Sequence, residues 1–140
     1  MSNERFWVKK WGIFMRFHPL IASYSDDRAA LASEYKAAKE SGAVRLGELR
    51  LYFRAGLRTY YIAYRDIRRV FRRVQLIGAG GKRNGGDMHL ENLVICGDAG
   101  ELAQLQLPGE AAAKQLMEEL EKRVPEAEFG KPAAEQAMNR

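Results

Sequence analysis

Short segments in which apolar and polar side chains alternate are the feature that most constrains the fold of this chain. In segment 47–54, Leu49, Leu51 and Phe53 fall on one face of an extended backbone. Tyr52 falls on the opposite face, together with the charged residues of the segment. Because successive side chains of a β-strand point to opposite sides, the pattern predicts a strand with one buried and one exposed face.

Three further segments have strand character. Ala55–Gly56 predicts a turn, and residues 59–62, which are β-branched and aromatic, predict a strand that pairs with the first. Later in the chain, residues 89–96 and 101–107 are separated by residues 97–100, whose Gly-Asp-Ala-Gly sequence predicts a tight turn. The sequence therefore predicts two β-hairpins.

The arginine-rich segment 65–77 fits either a helix or a strand. As a helix it would align Ile67, Phe71 and Val74 on one face and place its arginines on the other. As a strand it would need a bulge before Val70, after which Val70 and Val74 share one face. Periodicity alone leaves both alternatives open.

Residues 26–40 predict an amphipathic helix. Ser25 can cap its N-terminus, and Asp26 and Asp27 would place negative charge in the first turn, where the helix dipole favours it. Gly42 is a suitable C-terminal stop. The apolar stripe of this helix consists of Leu31, Tyr35 and Ala38.

The last part of the chain adds a loop, a second helix and a tail. Residues 78–87, half of which are glycine, predict a flexible loop. Residues 110–123 predict a helix that Pro125 ends, and residues 125–140 predict a loose tail. The apolar stripe of the helix consists of Ala113, Leu116, Met117, Leu120 and Val124.

Charge is distributed unevenly along the chain. The net charge is +5, yet residues 45–86 hold 11 basic and 2 acidic residues, whereas residues 87–140 hold 5 basic and 11 acidic ones. The basic part predicts an anion-binding cluster, because guanidinium groups match phosphate oxygens well. The competing interpretation is a solvated strand face that is partly neutralised by the acidic last helix. The candidate anion-binding residues are Arg65, Arg68, Arg69, Arg72, Arg73, Lys82 and Arg83.

Aromatic residues are concentrated near the start of the chain, where the periodicity fits neither a helix nor a strand consistently. Large rings at this density are too apolar to remain solvated, so they are expected to pack on the domain or on a partner. The candidate partner-binding residues are Phe6, Trp7, Trp11 and Phe14.

No residue pattern predicts catalysis or metal binding. Cys96 ends an apolar run, which favours a buried, inert thiol. His18 and His89 have no histidine or cysteine at metal-ligand spacing. Glu118 and Glu119 occupy adjacent helix positions and do not face each other as an acid/base pair would. We therefore expect no enzyme activity, no cofactor and no metal.

Composition points to one soluble globular domain. The chain has 140 residues, of which 46% are hydrophobic and 29% charged. No apolar stretch approaches the ~18 residues that cross a bilayer, and the first ten residues are too charged for a signal peptide. Together with the single cysteine, these features lead us to expect a cytoplasmic protein.

The order of the predicted elements resembles that of bacterial pleckstrin-homology-like (PH-like) proteins. The whole chain is similar to such a family without an assigned activity. The resemblance covers roughly residues 44–124 and rests on apolar spacing. The segments that carry it are Tyr61–Ile67 with Val70 and Phe71, Leu93–Ile95, Leu102–Leu107 and Ala111–Ala113.

The resemblance implies an α+β fold with a small, curved antiparallel sheet or partly open barrel and a C-terminal capping helix. It also implies that residues 67–77 form a strand. The expected division is an N-terminal aromatic segment and helix at residues 1–43, a PH-like domain at 44–124 and a tail at 125–140.

The expected function is that of a non-enzymatic binding or scaffolding module. Its partner would be another protein or a second copy of the chain, bound at a sheet edge or by the N-terminal aromatic segment. The alternative is binding to anionic surfaces through the central arginines. Phospholipid headgroups are the stronger form of that alternative and nucleic acid the weaker one.

Overall fold

A computed structural model describes residues 16–21, 26–77 and 88–131 of the chain. The chain forms two compact units, Met1–Arg65 and Asp66–Arg140. The described residues contain two helices and two separate β-sheets, which confirms the α+β class. These units are defined by their compactness and do not test the expected PH-like domain at residues 44–124, whose bounds stay a prediction.

The first unit is a five-stranded sheet with one helix. Its strand order is β1-β5-β4-β3-β2, in which β1 runs parallel to β5 and the other neighbours are antiparallel. The elements are β1 (Phe17–Pro19), α1 (Arg28–Ala37), β2 (Lys39–Ser41), β3 (Val44–Leu46), β4 (Arg50–Ala55) and β5 (Arg58–Ala63).

Strand β4 is buried on both faces, so the expectation of one exposed face is wrong. Leu51 and Tyr52 are each 0% exposed, although they point to opposite sides. Tyr52 packs with Leu31 of α1, and its ring lies 5.3 Å from that of Tyr35. Leu49, expected on the buried face, precedes the strand and is 60% exposed. Alternation in one strand cannot reveal that a helix covers the second face.

Helix α1 is confirmed, but it is shorter than expected at both ends. Its N-cap is Asp27, whose side chain accepts a hydrogen bond of 3.3 Å from the backbone N–H of Ala30. The expected cap, Ser25, lies outside the described residues. Residues 39–41 leave the helix because they pair with β3. Gly42, with φ of +60°, therefore serves the β2–β3 turn instead of ending the helix.

The second unit is a four-stranded sheet with one helix. Its strand order is β8-β7-β6-β9, with β9 parallel to β6 and the other neighbours antiparallel. A single 3₁₀ turn, Tyr64–Asp66, precedes it. The elements are β6 (Arg69–Ile77), β7 (Met88–Gly97), β8 (Gly100–Leu107), α2 (Glu110–Arg123) and β9 (Glu128–Phe129).

The arginine-rich segment is a strand, which confirms one of the two alternatives and excludes the helix. Val70 and Phe71 are 0% and 1% exposed and point to opposite faces of β6. Two adjacent apolar residues, each buried on a different face, produce the spacing that also fits a helix. The bulge lies elsewhere than expected, in the β7–β8 pair between Ile95 and Cys96.

Helix α2 closes one face of the second sheet, as predicted. Ala113, Leu116 and Leu120 are buried, and the helix contacts β6, β7 and β8. Met117 is only partly buried. The antiparallel pairs predominate, but each sheet also contains a parallel pair, and neither sheet closes. The single antiparallel sheet that we expected is thus replaced by two mixed, open sheets.

Candidate functional site

The predicted anion-binding arginines are brought together by β6, but they face acidic partners. Arg68 donates a hydrogen bond of 2.8 Å from Nε to Asp98, in the β7–β8 turn. Arg69 donates to the carboxylate of Glu128 in β9 and, at 2.9 Å, to the carbonyl of Gly130. These two arginines tie β6 to the segments on either side of it.

The next two arginines are paired more deeply. Arg72 donates to Glu91 in β7, whose side chain is 8% exposed, and lies 3.6 Å from Glu110 at the start of α2. The hydrogen bond with Glu91 raises the pKa of Arg72. Arg73 donates to Glu101 in β8. The acidic last third of the chain therefore neutralises these arginines, but mainly from β7, β8, β9 and the β7–β8 turn instead of from the last helix, which the competing interpretation had named.

Of the other predicted site residues, the structure describes only Arg65. Arg65 is exposed and lies in the 3₁₀ turn. Six others lie outside the described residues: Lys82 and Arg83, and the aromatic candidates Phe6, Trp7, Trp11 and Phe14.

The edge formed by β8 in the second sheet is the longest strand edge in the described part of the chain. Strand β8 pairs with β7 on one side, and among described residues no strand pairs with its other side. It spans eight residues, Gly100–Leu107. The outward N–H and C=O groups of an edge strand are free to pair with another strand.

The composition of β8 leaves this edge unprotected. The stretch Leu102–Leu107 has no charge and no proline. Leu105 and Leu107 are buried on the helix side, whereas Gln104 and Gln106 are exposed on the opposite side. Lysine, proline or an inward charge is the usual means by which an edge strand avoids pairing with other chains.

A polar network in the first unit has no signal in the sequence. Asp26 accepts hydrogen bonds from Arg50 at 3.0 Å and from the Tyr61 hydroxyl at 3.0 Å. Glu34 accepts from Arg50 at 2.7 Å and from the Tyr52 hydroxyl at 2.6 Å. The five side chains come from α1, its N-terminal approach, β4 and β5, so only the fold brings them together.

The network raises the pKa of three of its members, Arg50, Tyr52 and Tyr61. Burial and the hydrogen bond to Asp26 raise the pKa of Tyr61 to about 12, and burial with Glu34 raises that of Tyr52 further. Burial alone would lower the pKa of Arg50, but its bonds to the two carboxylates outweigh burial and raise it. None of these groups is brought towards neutral pH, where acid/base catalysis operates.

Two shallow depressions open on the first unit. One, of about 290 Å³, is lined by residues that include Arg16, His18 and Arg28. The other, of about 270 Å³, lies beside Tyr35 and Arg45. Both are smaller than the usual range for small-molecule sites of about 300–1,000 Å³.

The other sequence candidates are placed as follows. Cys96 is buried, which confirms the expected burial of its thiol. His18 contacts the ring of Tyr60, and His89 is exposed on β7 opposite Leu76. Within residues 16–21, 26–77 and 88–131, no group of three potential ligands is arranged to hold a metal ion.

Helices α1 and α2, the two in the described part, are neither long nor apolar enough to span a bilayer. Comparisons of the chain with protein-family models, with curated proteins and with solved structures find no match. The candidate function therefore rests on the chain's own geometry.

Proposed function

We propose that the protein is a non-enzymatic protein-binding module that assembles with a second copy of itself through the free edge of β8. The main observation that supports this proposal is that β8, an edge strand of eight residues, has no partner strand on its outer side in the described part of the chain. A PH-like arrangement of residues 44–124 and a cytoplasmic setting belong to the same proposal. The resemblance supports the first, and the single cysteine supports the second.

Self-pairing is favoured by the symmetry of the strand. Two copies of β8 related by a twofold axis would run antiparallel, and each face of one copy would meet the same face of the other. The apolar positions Leu105 and Leu107 would extend the apolar face of the sheet. Gln104 and Gln106 would meet on the other face, where amide side chains can bond to one another.

Electrostatics also favours a second copy. Like charges directly opposite each other destabilise a strand pair, and twofold pairing always brings a segment close to its own charges. The stretch Leu102–Leu107 carries none. Glu101, which begins the charged flank, is already bound by Arg73 of its own chain. Pairing through this stretch therefore incurs little repulsion.

The expected affinity is low. Cross-strand pairs contribute roughly 0.2–1 kcal/mol each, so about five of them supply a few kcal/mol. Association at roughly 0.1–1 mM corresponds to about 4–5.5 kcal/mol. We therefore expect a reversible dimer that forms as the concentration rises through this range.

Sedimentation velocity over a concentration series tests the proposal. The variant Gln106→Lys places a lysine opposite Gln104 of the second copy, so that the dimer gains two like charges on one face of its strand pair, and it should shift dimer formation to concentrations about tenfold higher. The control Gln115→Lys makes the same change on an exposed position of α2 and should leave association unchanged. A chain that stays monomeric, or a dimer insensitive to Gln106→Lys, contradicts self-pairing through β8.

Anionic-surface binding by the β6 arginines has less support. Arg68, Arg69, Arg72 and Arg73 all have carboxylate partners within their own unit. An external phosphate would have to displace these partners before it could bind.

A further inference from the structure

The tip of the β4–β5 hairpin, residues 54–58, differs from the rest of the described surface. Leu57 at this tip is 95% exposed, more than any other large apolar side chain among residues 16–21, 26–77 and 88–131. One exposed leucine is common on protein surfaces and means little by itself. Its neighbours give it significance.

The side chains of the two arginines that flank Leu57, Arg54 and Arg58, bind no other described side chain. Arg54 and Arg58 are exposed, and neither side chain has a hydrogen bond, ion pair or ring contact with a described residue. The hairpin from Arg50 to Ala63 contains no acidic residue at all. The contrast with Arg68 and the three arginines of β6 is direct, because all four are bound to carboxylates.

The hairpin geometry spreads these groups around the tip. Arg54 pairs with Thr59, and Arg58 pairs with Ala55. Because facing residues share a side and successive residues alternate, the two arginines point to opposite faces of the hairpin. Leu57 lies between them in the turn, next to Gly56 with its φ of +63°.

Packed side chains support the hairpin directly below the tip. The rings of Phe53 and Tyr60, one residue pair further from the arginines, are stacked with centroids 5.5 Å apart. Phe53 and Thr59 are buried. The turn therefore presents one apolar side chain and two cations from an ordered hairpin.

We propose that this tip is a contact site for anionic lipid bilayers, in which Leu57 enters the interfacial region and Arg54 and Arg58 bind headgroup phosphates. A bilayer suits the tip better than an acidic protein does. A specific protein interface needs about 800 Å² on each partner, more than a single turn presents. A fluid interface accommodates one inserted side chain without a complementary shape, and basic residues are attracted to its negative surface.

Flotation of the full chain with vesicles tests the site. Phosphatidylcholine vesicles containing phosphatidylserine should bind the chain, whereas phosphatidylcholine alone should bind it weakly, and added salt should weaken the difference. The double variant Arg54→Gln/Arg58→Gln should lower the affinity about 25-fold, from about fivefold for each arginine. Leu57→Ser should lower it about tenfold.

Matched variants separate the tip from general charge and apolarity. Arg28→Gln/Lys36→Gln removes the same charge from exposed positions of α1, and Leu49→Ser removes another exposed leucine. Both should retain vesicle binding. Because Leu57 is almost fully exposed, its replacement leaves folding intact, which circular dichroism verifies.

Soluble polyglutamate, used as a probe for an acidic protein, tests the alternative occupant of the tip. The bilayer proposal requires binding to serine-lipid vesicles that depends on Leu57 as well as on both arginines. Binding to polyglutamate without binding to vesicles would instead assign the tip to an acidic protein and overturn the proposal. Vesicle binding that the control variants weaken as much as the tip variants do would overturn it too.

Discussion

Replacing Glu34 by glutamine is the sharpest test of the polar network in the first unit. The carboxylate of Glu34 accepts three hydrogen bonds, at 2.6 Å from the backbone N–H of Leu49, 2.7 Å from Arg50 and 2.6 Å from Tyr52. Its side chain is 11% exposed and that of Arg50 is 16% exposed. Glutamine keeps the size of the side chain, but it removes the charge and turns one acceptor into a donor.

The magnitude follows from these contacts. Hydrogen bonds to a charged acceptor are roughly twice as strong as neutral ones, so each of the three loses about 1 kcal/mol. Breaking one partner of a largely buried ion pair costs about 3–5 kcal/mol, and Arg50 keeps Asp26 as a second partner, which places the change at the lower end. We therefore expect Glu34→Gln to lower the free energy of unfolding by about 3 kcal/mol.

Urea unfolding followed by circular dichroism measures this loss. With a slope of about 2 kcal/mol per molar urea, the midpoint of the transition that reports the first unit should fall by about 1.5 M. The control is Glu48→Gln, the same change at an exposed neighbour, which should stay within about 0.5 kcal/mol of the parent. Equal midpoints for the two variants would show that the network does not stabilise the unit.

Two further predictions concern alkaline pH and the paired arginines. The pKa of Tyr61 is raised to about 12 in the folded chain, so the tyrosine of the unfolded chain ionises first above about pH 10, and the free energy of unfolding falls as the pH rises to about 12. Tyr61→Phe should reduce this fall, measured as the difference between the urea midpoints at about pH 9 and about pH 11. An unchanged difference would refute the assignment of the effect to Tyr61. Arg72→Met should lower the free energy of unfolding by about 3 kcal/mol, because it leaves the buried carboxylate of Glu91 unpaired. Arg68→Met breaks an exposed ion pair and should lower it by under about 1 kcal/mol. Equal losses for the two variants in urea unfolding would contradict this ranking.

Long, strongly periodic elements were predictable from the sequence. Helix α2 occupies residues 110–123, as the stripe of apolar residues predicts, and the β7–β8 hairpin lies within one residue of its expected bounds at each end. Strands β1, β2, β3 and β9 have two or three residues each and were missed. A segment this short shows no periodicity, and its pairing depends on partners elsewhere in the chain.

The candidate sites were harder to predict than the elements. Counting arginines correctly located the most basic segment but could not show that its charges are bound within the chain. Arg54 and Arg58, whose side chains have no bound partner among described residues, flank a turn that composition does not distinguish. The open edge of β8 has no local signal either, because an edge is defined by the strand that fails to pair with it.

The sequence by itself determined the two helices and the β4–β5 and β7–β8 hairpins, because side-chain periodicity and turn residues act over a few neighbouring positions. Tertiary structure decided which faces are covered and which charges are neutralised. Arg69 binds Glu128 across 59 positions of the chain, and Tyr52 is buried by a helix whose Leu31 precedes it by 21 positions. Such partners are selected by strand register and packing, which arise only when the whole unit has folded.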